Sequence, residues 1–170
     1  WDGETYTSYN THHGIVGNKV WWIDEDNNGN LWFACFGAGI SKFNGVSFTN
    51  YSTEDGLIDN YVRVVKYSST FDCILIGTNS SISVLKDTVF HNFSSDNGSL
   101  QKNVIITAIL EDDKKAIFYN FAGYHYNLTL DSNSIFSISR NKSLWYENYG
   151  VSSASITING DTIVGWGREG

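Results

Sequence analysis

The sequence has few basic residues and no long apolar run, and these shortages exclude several classes of protein. Its 170 residues contain 11 Lys and Arg against 18 Asp and Glu, a formal net charge of -7. Nucleic-acid binding needs Lys and Arg to displace counterions from phosphates, so no nucleic-acid partner is expected. No apolar run approaches the roughly 20 residues that cross a bilayer, so this segment is expected to make no membrane contact. No signal peptide is visible at its start.

Helix signals and cysteines are also scarce. No stretch long enough for a helix carries a 3.6-residue apolar stripe, whereas segments such as 155–158 alternate with the two-residue period of a strand. Aromatic residues make up 15% of the chain and charged residues only 17%, a mixture typical of half-buried strands. Cys35 and Cys73 lie inside apolar strands at different repeat positions, so we expect buried free thiols. The predicted fold class is all-β.

An internal repeat is the strongest feature of the chain. Equivalent residues recur in steps of 42 residues: Tyr6, Phe48 and Phe90; Tyr9, Tyr51 and Phe93; Gly14, Gly56 and Gly98; Val20, Val62 and Val104. A unit of this size, with four short apolar runs separated by Asn and Gly turns, matches a β-propeller blade of four antiparallel strands. We therefore predict a β-propeller fragment of about four consecutive four-stranded antiparallel blades in an incomplete ring.

The strands of each unit are named a to d from the central channel outwards. Predicted strands lie at 19–24, 30–36, 39–43 and 47–51 in the first full unit, at 62–67, 73–78, 81–85 and 89–93 in the second, at 104–110, 116–121, 124–130 and 134–139 in the third, and at 154–158 and 162–166 in a partial fourth. A strand d is also predicted near Tyr6 and Tyr9. The whole chain, 1–170, is predicted to be a single propeller segment with repeats at about 4–45, 46–87, 88–133 and 134–170.

The predicted strands begin with a strand d and end with a strand b, which cannot close a ring of whole blades. We therefore expect the chain to be a piece of a longer protein. Terminal blades of an open arc expose apolar faces and unpaired strand edges. The expected partners are thus a second copy of the chain, in a homo-oligomer, or the remaining blades of the parent protein.

Residues 18–33 (Asn-Lys-Val-Trp-Trp-Ile-Asp-Glu-Asp-Asn-Asn-Gly-Asn-Leu-Trp-Phe) and 37–45 (Gly-Ala-Gly-Ile-Ser-Lys-Phe-Asn-Gly) closely resemble the two-component regulator propeller repeat. Residues 55–62 resemble the family's connecting loop and next strand, and residues 75–78 resemble its strand b. The family differs in having Gly-Thr where this chain has Ala34 and Cys35. The third unit also lacks the Gly-Asn-Leu-Trp core.

The resemblance implies a propeller from the periplasmic sensor half of a hybrid histidine kinase of Bacteroides-like bacteria. Such a propeller binds an extracellular ligand, often a polysaccharide fragment, and passes a signal through the membrane. The chain is therefore expected to be a ligand-sensing module without enzymatic activity of its own. It is expected in the periplasmic or extracellular part of a membrane-anchored protein.

Candidate ligand residues lie at the end where the d-to-a and b-to-c loops converge on the channel, the usual ligand face of a propeller. We expect a neutral or mildly polar oligosaccharide there, held by stacking and by side-chain amides. The candidate residues are His12, His13, Asn18, Phe36, Asp59, Asn60, Tyr61, Asn79, Lys102 and Asn103. Trp21, Phe36 and Tyr61 are expected to pack in the core, and stacking on a sugar is the less favoured alternative. Trp32, Leu75 and Phe118 are predicted to pack between blades.

No metal ion or cofactor is predicted. Residues 24–29, Asp-x-Asp-x-Asn-Gly, start like a calcium loop, but Cys35 stands where a bidentate Glu would close it. A solvated hairpin turn is the favoured interpretation. His12 and His13 are adjacent on an extended chain and point to opposite faces, so a surface loop without metal is expected.

No catalytic residue is predicted either. Asp55 and Asp59, the nearest paired carboxylates in one loop, are explained by turn chemistry. Two other functions remain open at this point. One is a purely structural or dimerisation segment with no ligand site, and the other is a polysaccharide-active enzyme assembled from distant blades.

Overall fold

The computed structural model describes residues 6–102, 104–112, 114–120, 124–131, 135–142, 154–158 and 161–165. Within these ranges the regular structure is β, apart from two single 3₁₀ turns at Thr11–His13 and Thr53–Asp55. The strands are β1 (Val20–Glu25), β2 (Leu31–Cys35), β3 (Gly39–Phe43), β4 (Phe48–Tyr51), β5 (Val62–Ser68), β6 (Cys73–Thr78), β7 (Ser81–Lys86), β8 (Val89–Ser94), β9 (Ile106–Glu111), β10 (Ala116–Asn120), β11 (Tyr124–Leu130), β12 (Phe136–Lys142), β13 (Ala154–Ile158) and β14 (Asp161–Gly165). No helix in these ranges is long and apolar enough to cross a membrane.

The first twelve strands form three four-stranded antiparallel sheets in chain order, and β13 pairs with β14. We call these sheets blade 1 (β1 to β4), blade 2 (β5 to β8) and blade 3 (β9 to β12). Strand β5 lies against β1 and β2, and β9 lies against β5 and β6. The innermost strands of successive sheets therefore adjoin, which is the arrangement of blades in a β-propeller. The predicted all-β fold with four-stranded antiparallel blades is confirmed.

Strands β3, β6, β11 and β13 coincide with their predicted ranges, and the other predicted strands agree within three residues at each described end. The predicted ends at residues 121, 134 and 166 lie outside the described residues. The strand d predicted near Tyr6 and Tyr9 is wrong, because residues 6–10 form no strand. In the described blades, strand d pairs with strand c of the same blade, and no strand c precedes residues 6–10 in the described part of the chain. Tyr9 instead packs on blade 1, with its ring centroid 5.1 Å from that of Phe43 and 5.7 Å from that of Phe48.

Two apolar clusters lie between the blades and supply the core. The cluster between blades 1 and 2 contains Trp32, Ala34, Ile40, Leu57, Val62, Val65, Ile74, Ile76 and Leu85. The cluster between blades 2 and 3 includes Val64, Leu75, Ile82, Val84, Ile106, Phe118, Tyr126 and Leu128. Trp32, Leu75 and Phe118 are buried, as predicted. Because each sheet buries its apolar side chains against the next sheet, stability depends on stacking.

A glycine allows blades 2 and 3 to approach closely. A Cβ atom placed on Gly77 would lie 2.4 Å from Cγ2 of Ile106 and 2.7 Å from Cγ1 of Val64. Both distances are far below carbon van der Waals contact. Any side chain at this position would therefore push β9 away from β6.

Both cysteines are buried free thiols, as predicted. Burial is the main cause that raises the pKa of Cys73 to about 12, and burial also raises the pKa of Cys35. The thiolate is the reactive form of cysteine. Both side chains therefore stay protonated and act as small apolar core residues.

Candidate ligand-binding site

The d-to-a connections share one capped turn, in which a side chain accepts the backbone N–H three residues before it. The pairs are Asn10 N–H to His13 Nδ1 at 3.1 Å, Ser52 N–H to Asp55 Oδ2 at 2.8 Å, and Ser94 N–H to Asn97 Oδ1 at 3.1 Å. A glycine with positive φ follows each pair. His13 and Asp55 therefore have the same structural role in successive repeats. The turn chemistry expected for Asp55 is present.

Asn18 and Asn60 lie near the C-terminal ends of the first two d-to-a connections and hydrogen-bond back to their turns. Oδ1 of Asn18 accepts the N–H of Thr11 at 2.9 Å, and Oδ1 of Asn60 accepts the N–H of Thr53 at 2.9 Å. Both amides are therefore engaged in loop structure. Lys102 occupies the position in the next repeat that is equivalent to Asn18 and Asn60, and its side chain is exposed. Its ammonium group cannot accept an N–H, so the third connection lacks this contact.

Aromatic rings and cations gather where the start of β1, the start of β5 and the b-to-c loop of blade 1 meet. We call this group the aromatic–cation cluster; its members are Lys19, Trp21, Phe36, Tyr61, Arg63 and Asn79. The Phe36 ring stacks on Trp21 with centroids 4.2 Å apart and planes 8° apart. It meets the Tyr61 ring edge-on at 5.3 Å. Three rings from two blades thus form one continuous surface.

The two cations of the cluster lie close to these rings. The Arg63 guanidinium carbon lies 4.8 Å from the Trp21 centroid and 5.5 Å from the Phe36 centroid. The Lys19 Nζ lies 5.4 Å from the Phe36 centroid. Cations are attracted to the negative faces of aromatic rings at such distances. Both cations therefore lie near the Phe36 ring.

Backbone pairing fixes the positions of the cluster residues. Phe36 and Tyr61 form an isolated antiparallel bridge, and the Phe36 N–H donates to the Lys19 carbonyl at 2.9 Å. The ladder register shifts between Val20 and Trp22 and again between Val62 and Val64, so Trp21 and Arg63 occupy equivalent β-bulges. A bulge turns its side chain away from the regular strand pattern. Blade stacking then brings the two side chains together.

The cluster is partly open to solvent, so the expectation of core packing is wrong for Trp21 and Tyr61. Trp21 is 44% exposed and Tyr61 is 52% exposed, whereas Phe36 and Arg63 are half-buried. The Arg63 Nε–H donates to Oδ1 of Asn79, and burial lowers the pKa of the guanidinium. An arginine pKa starts so high that the group stays charged at neutral pH. The exposed rings and a charged, oriented guanidinium are thus available to a ligand.

The structure brings Phe36, Asp59, Asn60, Tyr61 and Asn79 to one end, where loops of both kinds meet as predicted. Their backbones are hydrogen-bonded together, since the Asn60 carbonyl accepts the N–H groups of Gly37 and Gly39, and the Tyr61 carbonyl accepts the N–H of Asn79. Asp59 accepts the Tyr61 N–H at 2.8 Å and the Ser80 hydroxyl at 2.8 Å. The end of the loop is therefore rigidly held.

The other predicted ligand residues are placed differently. His12, His13 and Asn18 belong to the preceding d-to-a connection, and Asn103 lies outside the described residues. Sequence reasoning missed Lys19 and Arg63. The available signal was the repeat itself, because Lys19 is one 42-residue step before Tyr61 and Trp21 is one step before Arg63.

The run that begins like a calcium loop is a hairpin turn held by Asp26. This carboxylate accepts the N–H groups of Asn28 at 2.9 Å and Asn30 at 3.0 Å, and the Trp32 Nε1–H at 2.9 Å. Asp26 is buried, so the expectation of a solvated turn is wrong at this residue. Burial alone would raise the pKa of Asp26, but these hydrogen bonds outweigh it and lower the pKa. Within the described ranges, no group of three His, Cys, Asp or Glu side chains is placed to hold a metal ion.

Several solved structures are similar to this fold. The extracellular domain of a hybrid two component system from B. thetaiotaomicron is similar, with a TM-score of 0.62, 14% identity, and coverage of 93% of this chain and 28% of that one. The extracellular domain of a one component system from the same organism is similar with a TM-score of 0.61 and 15% identity. The match covers 81% of this chain and 18% of that one. The structure of YCF48 bound to D1 peptide is similar with a TM-score of 0.57 and 9% identity, and the match covers 85% of this chain and 46% of that one. The chain thus spans less than half of each of these structures.

The chain is a β-propeller segment. Residues 14–37 match the family model of the two component regulator propeller, so the resemblance noted from the sequence is confirmed. The matched stretch contains Lys19, Trp21 and Phe36, which are half of the aromatic–cation cluster. No curated protein matches the chain.

Proposed function

We propose that the chain is a ligand-sensing segment of an extracytoplasmic two-component signalling protein and that the aromatic–cation cluster binds an oligosaccharide. The observation that carries this proposal is the pair of exposed rings, Trp21 and Tyr61, at the end where the loops converge. Sugar rings present apolar C–H faces and polar edges, so they fit a site with aromatic faces and a few oriented polar groups. The likeness to extracellular domains of signalling systems supports a periplasmic or extracellular location in a membrane-anchored protein.

The cluster is suited to binding because its rings are held before a ligand arrives. Trp21 is stacked on Phe36 from one side and contacted by the Arg63 guanidinium. A side chain that is already immobile loses little conformational entropy on binding. The site therefore offers a rigid stacking surface.

The site also spans two blades, which connects binding with signalling. Trp21 and Phe36 belong to blade 1, whereas Tyr61 and Arg63 belong to the loop and first strand of blade 2. A ligand that contacts both blades stabilises one relative placement of the two sheets over any other. A change in the relative placement of the two blades can be transmitted to the rest of a sensor protein.

Replacement of Trp21 tests this function. We expect Trp21→Ala to weaken the binding of the best oligosaccharide from a glycan array by about tenfold or more, because aromatic side chains that a ligand covers dominate binding energies. Isothermal titration calorimetry on the whole chain measures the effect. Trp22→Ala is the matched control, since Trp22 is the next residue of the same strand and is 47% exposed. Equal losses in the two variants would remove Trp21 from the site.

A structural role is the second candidate, and exposed apolar side chains of β1 favour it. Trp22 and Ile23 are both exposed although they lie in a strand. Apolar surface of this kind is covered by a further blade or by a second copy in repeat proteins. An array without any bound glycan, together with a concentration-dependent dimer in light scattering, would favour this role over sensing.

A further inference from the structure

The charges at the aromatic–cation cluster contrast with those of the whole chain. The chain has a formal net charge of -7, yet Lys19 Nζ and the Arg63 guanidinium carbon each lie within 5.5 Å of the centroid of the Phe36 ring. Neither forms an ion pair with a described residue. Asp59, the nearest carboxylate to Arg63 along the chain, already accepts the Tyr61 N–H and the Ser80 hydroxyl. Two cations without a carboxylate partner create a positive potential around this ring, and an anion bound there would be attracted by both.

The geometry of Arg63 suits a carboxylate. Its Nε–H donates to Oδ1 of Asn79, and its guanidinium carbon lies 4.8 Å from the centroid of the Trp21 ring. Guanidinium has five N–H donors, so four remain on its terminal nitrogens. Two of these on one edge match the two oxygens of a carboxylate. Because the plane is already oriented, little further ordering is needed for this contact.

We propose that the ligand of the aromatic–cation cluster is an acidic oligosaccharide built of uronic acids, whose carboxylate is bound by Arg63 and Lys19. This inference rests on the proposed function. A uronic acid carries its carboxylate directly on the sugar ring, so one unit presents a stacking face and a negative charge a few ångströms apart. Trp21 and Arg63 present the matching pair, an exposed ring and a cation 4.8 Å from its centroid. A neutral sugar would fill the ring surface and leave both cations unpaired.

The experiment compares uronate trimers with their uncharged forms. Tri-galacturonate and tri-mannuronate are each titrated into the whole chain beside their fully methyl-esterified forms, which have the same rings without the charge. We expect at least one acid to bind about tenfold or more tightly than its ester, since charge-assisted contacts are about twice as strong as neutral ones. Added salt should reduce this preference by screening the partly exposed cations.

Charge-removing variants locate the effect. Arg63→Gln is expected to abolish the preference for the acid while leaving binding of the ester, and the exposed Lys19→Gln is expected to reduce the preference without affecting folding. Lys42→Gln is the matched control, because the Lys42 Nζ also lies over a ring, 5.3 Å from the centroid of Trp32, at the other end of the strand pair. It should leave the preference unchanged.

The outcomes separate this inference from the proposed function. Equal binding of each acid and its ester would overturn the acidic ligand and leave sugar sensing in place. An acid preference that survives in both Arg63→Gln and Lys19→Gln would also overturn it. Failure of both trimers to bind would overturn the uronate ligand, and the glycan array then decides whether sugar sensing stands.

Discussion

Gly39→Ala is expected to destabilise the chain far more than Gly45→Ala. Both glycines have positive φ, 101° and 90°, so an alanine is strained by about 1 kcal/mol at either position. A Cβ on Gly39 would also lie 2.2 Å from the Tyr51 carbonyl oxygen, whereas nothing lies within 4 Å of a Cβ on Gly45. The carbonyl belongs to the backbone of β4, paired with β3, and cannot move without breaking that pairing. We expect a loss in free energy of unfolding of about 3 kcal/mol or more for Gly39→Ala.

Urea denaturation followed by tryptophan fluorescence measures both variants. Gly45→Ala should lose only the strain common to both positions, because its Cβ would point into open space. The difference between the variants therefore isolates the clash with Tyr51. Equal losses would show that β3 and β4 do not approach each other as described.

Asp26→Ala is the second change with a large expected effect. It leaves the buried Trp32 Nε1–H and the partly buried N–H groups of Asn28 and Asn30 without their acceptor. A buried donor without a partner costs about 1–3 kcal/mol, so the total loss should be about 3 kcal/mol or more. Asp96→Ala is the control, because it removes the same charge from an exposed residue. Similar losses in both variants would contradict the role given to Asp26.

The same carboxylate makes stability depend on pH. The pKa of Asp26 is lowered in the folded chain, so its contribution is fully present above the unfolded-state pKa, which is about 4, and is lost as the pH falls through the lower folded pKa. The stability of the unaltered chain should therefore fall in acid below about pH 4. Asp26→Ala should show a shallower fall. Parallel acid curves for the two proteins would contradict the lowered pKa.

Most of the fold followed from the repeat, because the features that recur are the ones that build each blade. Ser41 donates to Asn50 and Asn50 donates to the Gly14 carbonyl, and the same contacts return 42 residues later in Ser83, Asn92 and Gly56. Turns, glycines and these polar contacts are local, so one sequence is enough to detect them. The third unit was harder to place. Its buried Leu100 follows Gly98 by two residues, whereas buried Leu57 follows Gly56 directly.

The candidate site was less predictable because a residue that recurs in the repeat can serve either the blade itself or a ligand site. Asn18 and Asn60 recur one step apart, and both prove to hold the d-to-a loop. Trp21 and Arg63 also lie one step apart but differ in chemistry, and they meet across the boundary between blades. Asn18 and Asn60, which are identical at equivalent repeat positions, stabilise the loop of each blade. Trp21 and Arg63, which differ at equivalent repeat positions, belong to the aromatic–cation cluster. The contact itself depends on blade stacking, which no single repeat shows.

The central claim is that successive repeats stack through their inner strands, and a double-mutant cycle on Gly77 and Ile106 tests it most directly. Gly77 lies in β6 of blade 2 and Ile106 in β9 of blade 3. Gly77→Ala should destabilise the chain by steric overlap, and Ile106→Ala should destabilise it by leaving a cavity. In the double variant the shortest of these contacts, the one with Cγ2 of Ile106, is absent. The combined loss should therefore be smaller than the sum by about 1 kcal/mol or more. Additive losses would show that the two sheets do not pack against each other and would contradict the propeller.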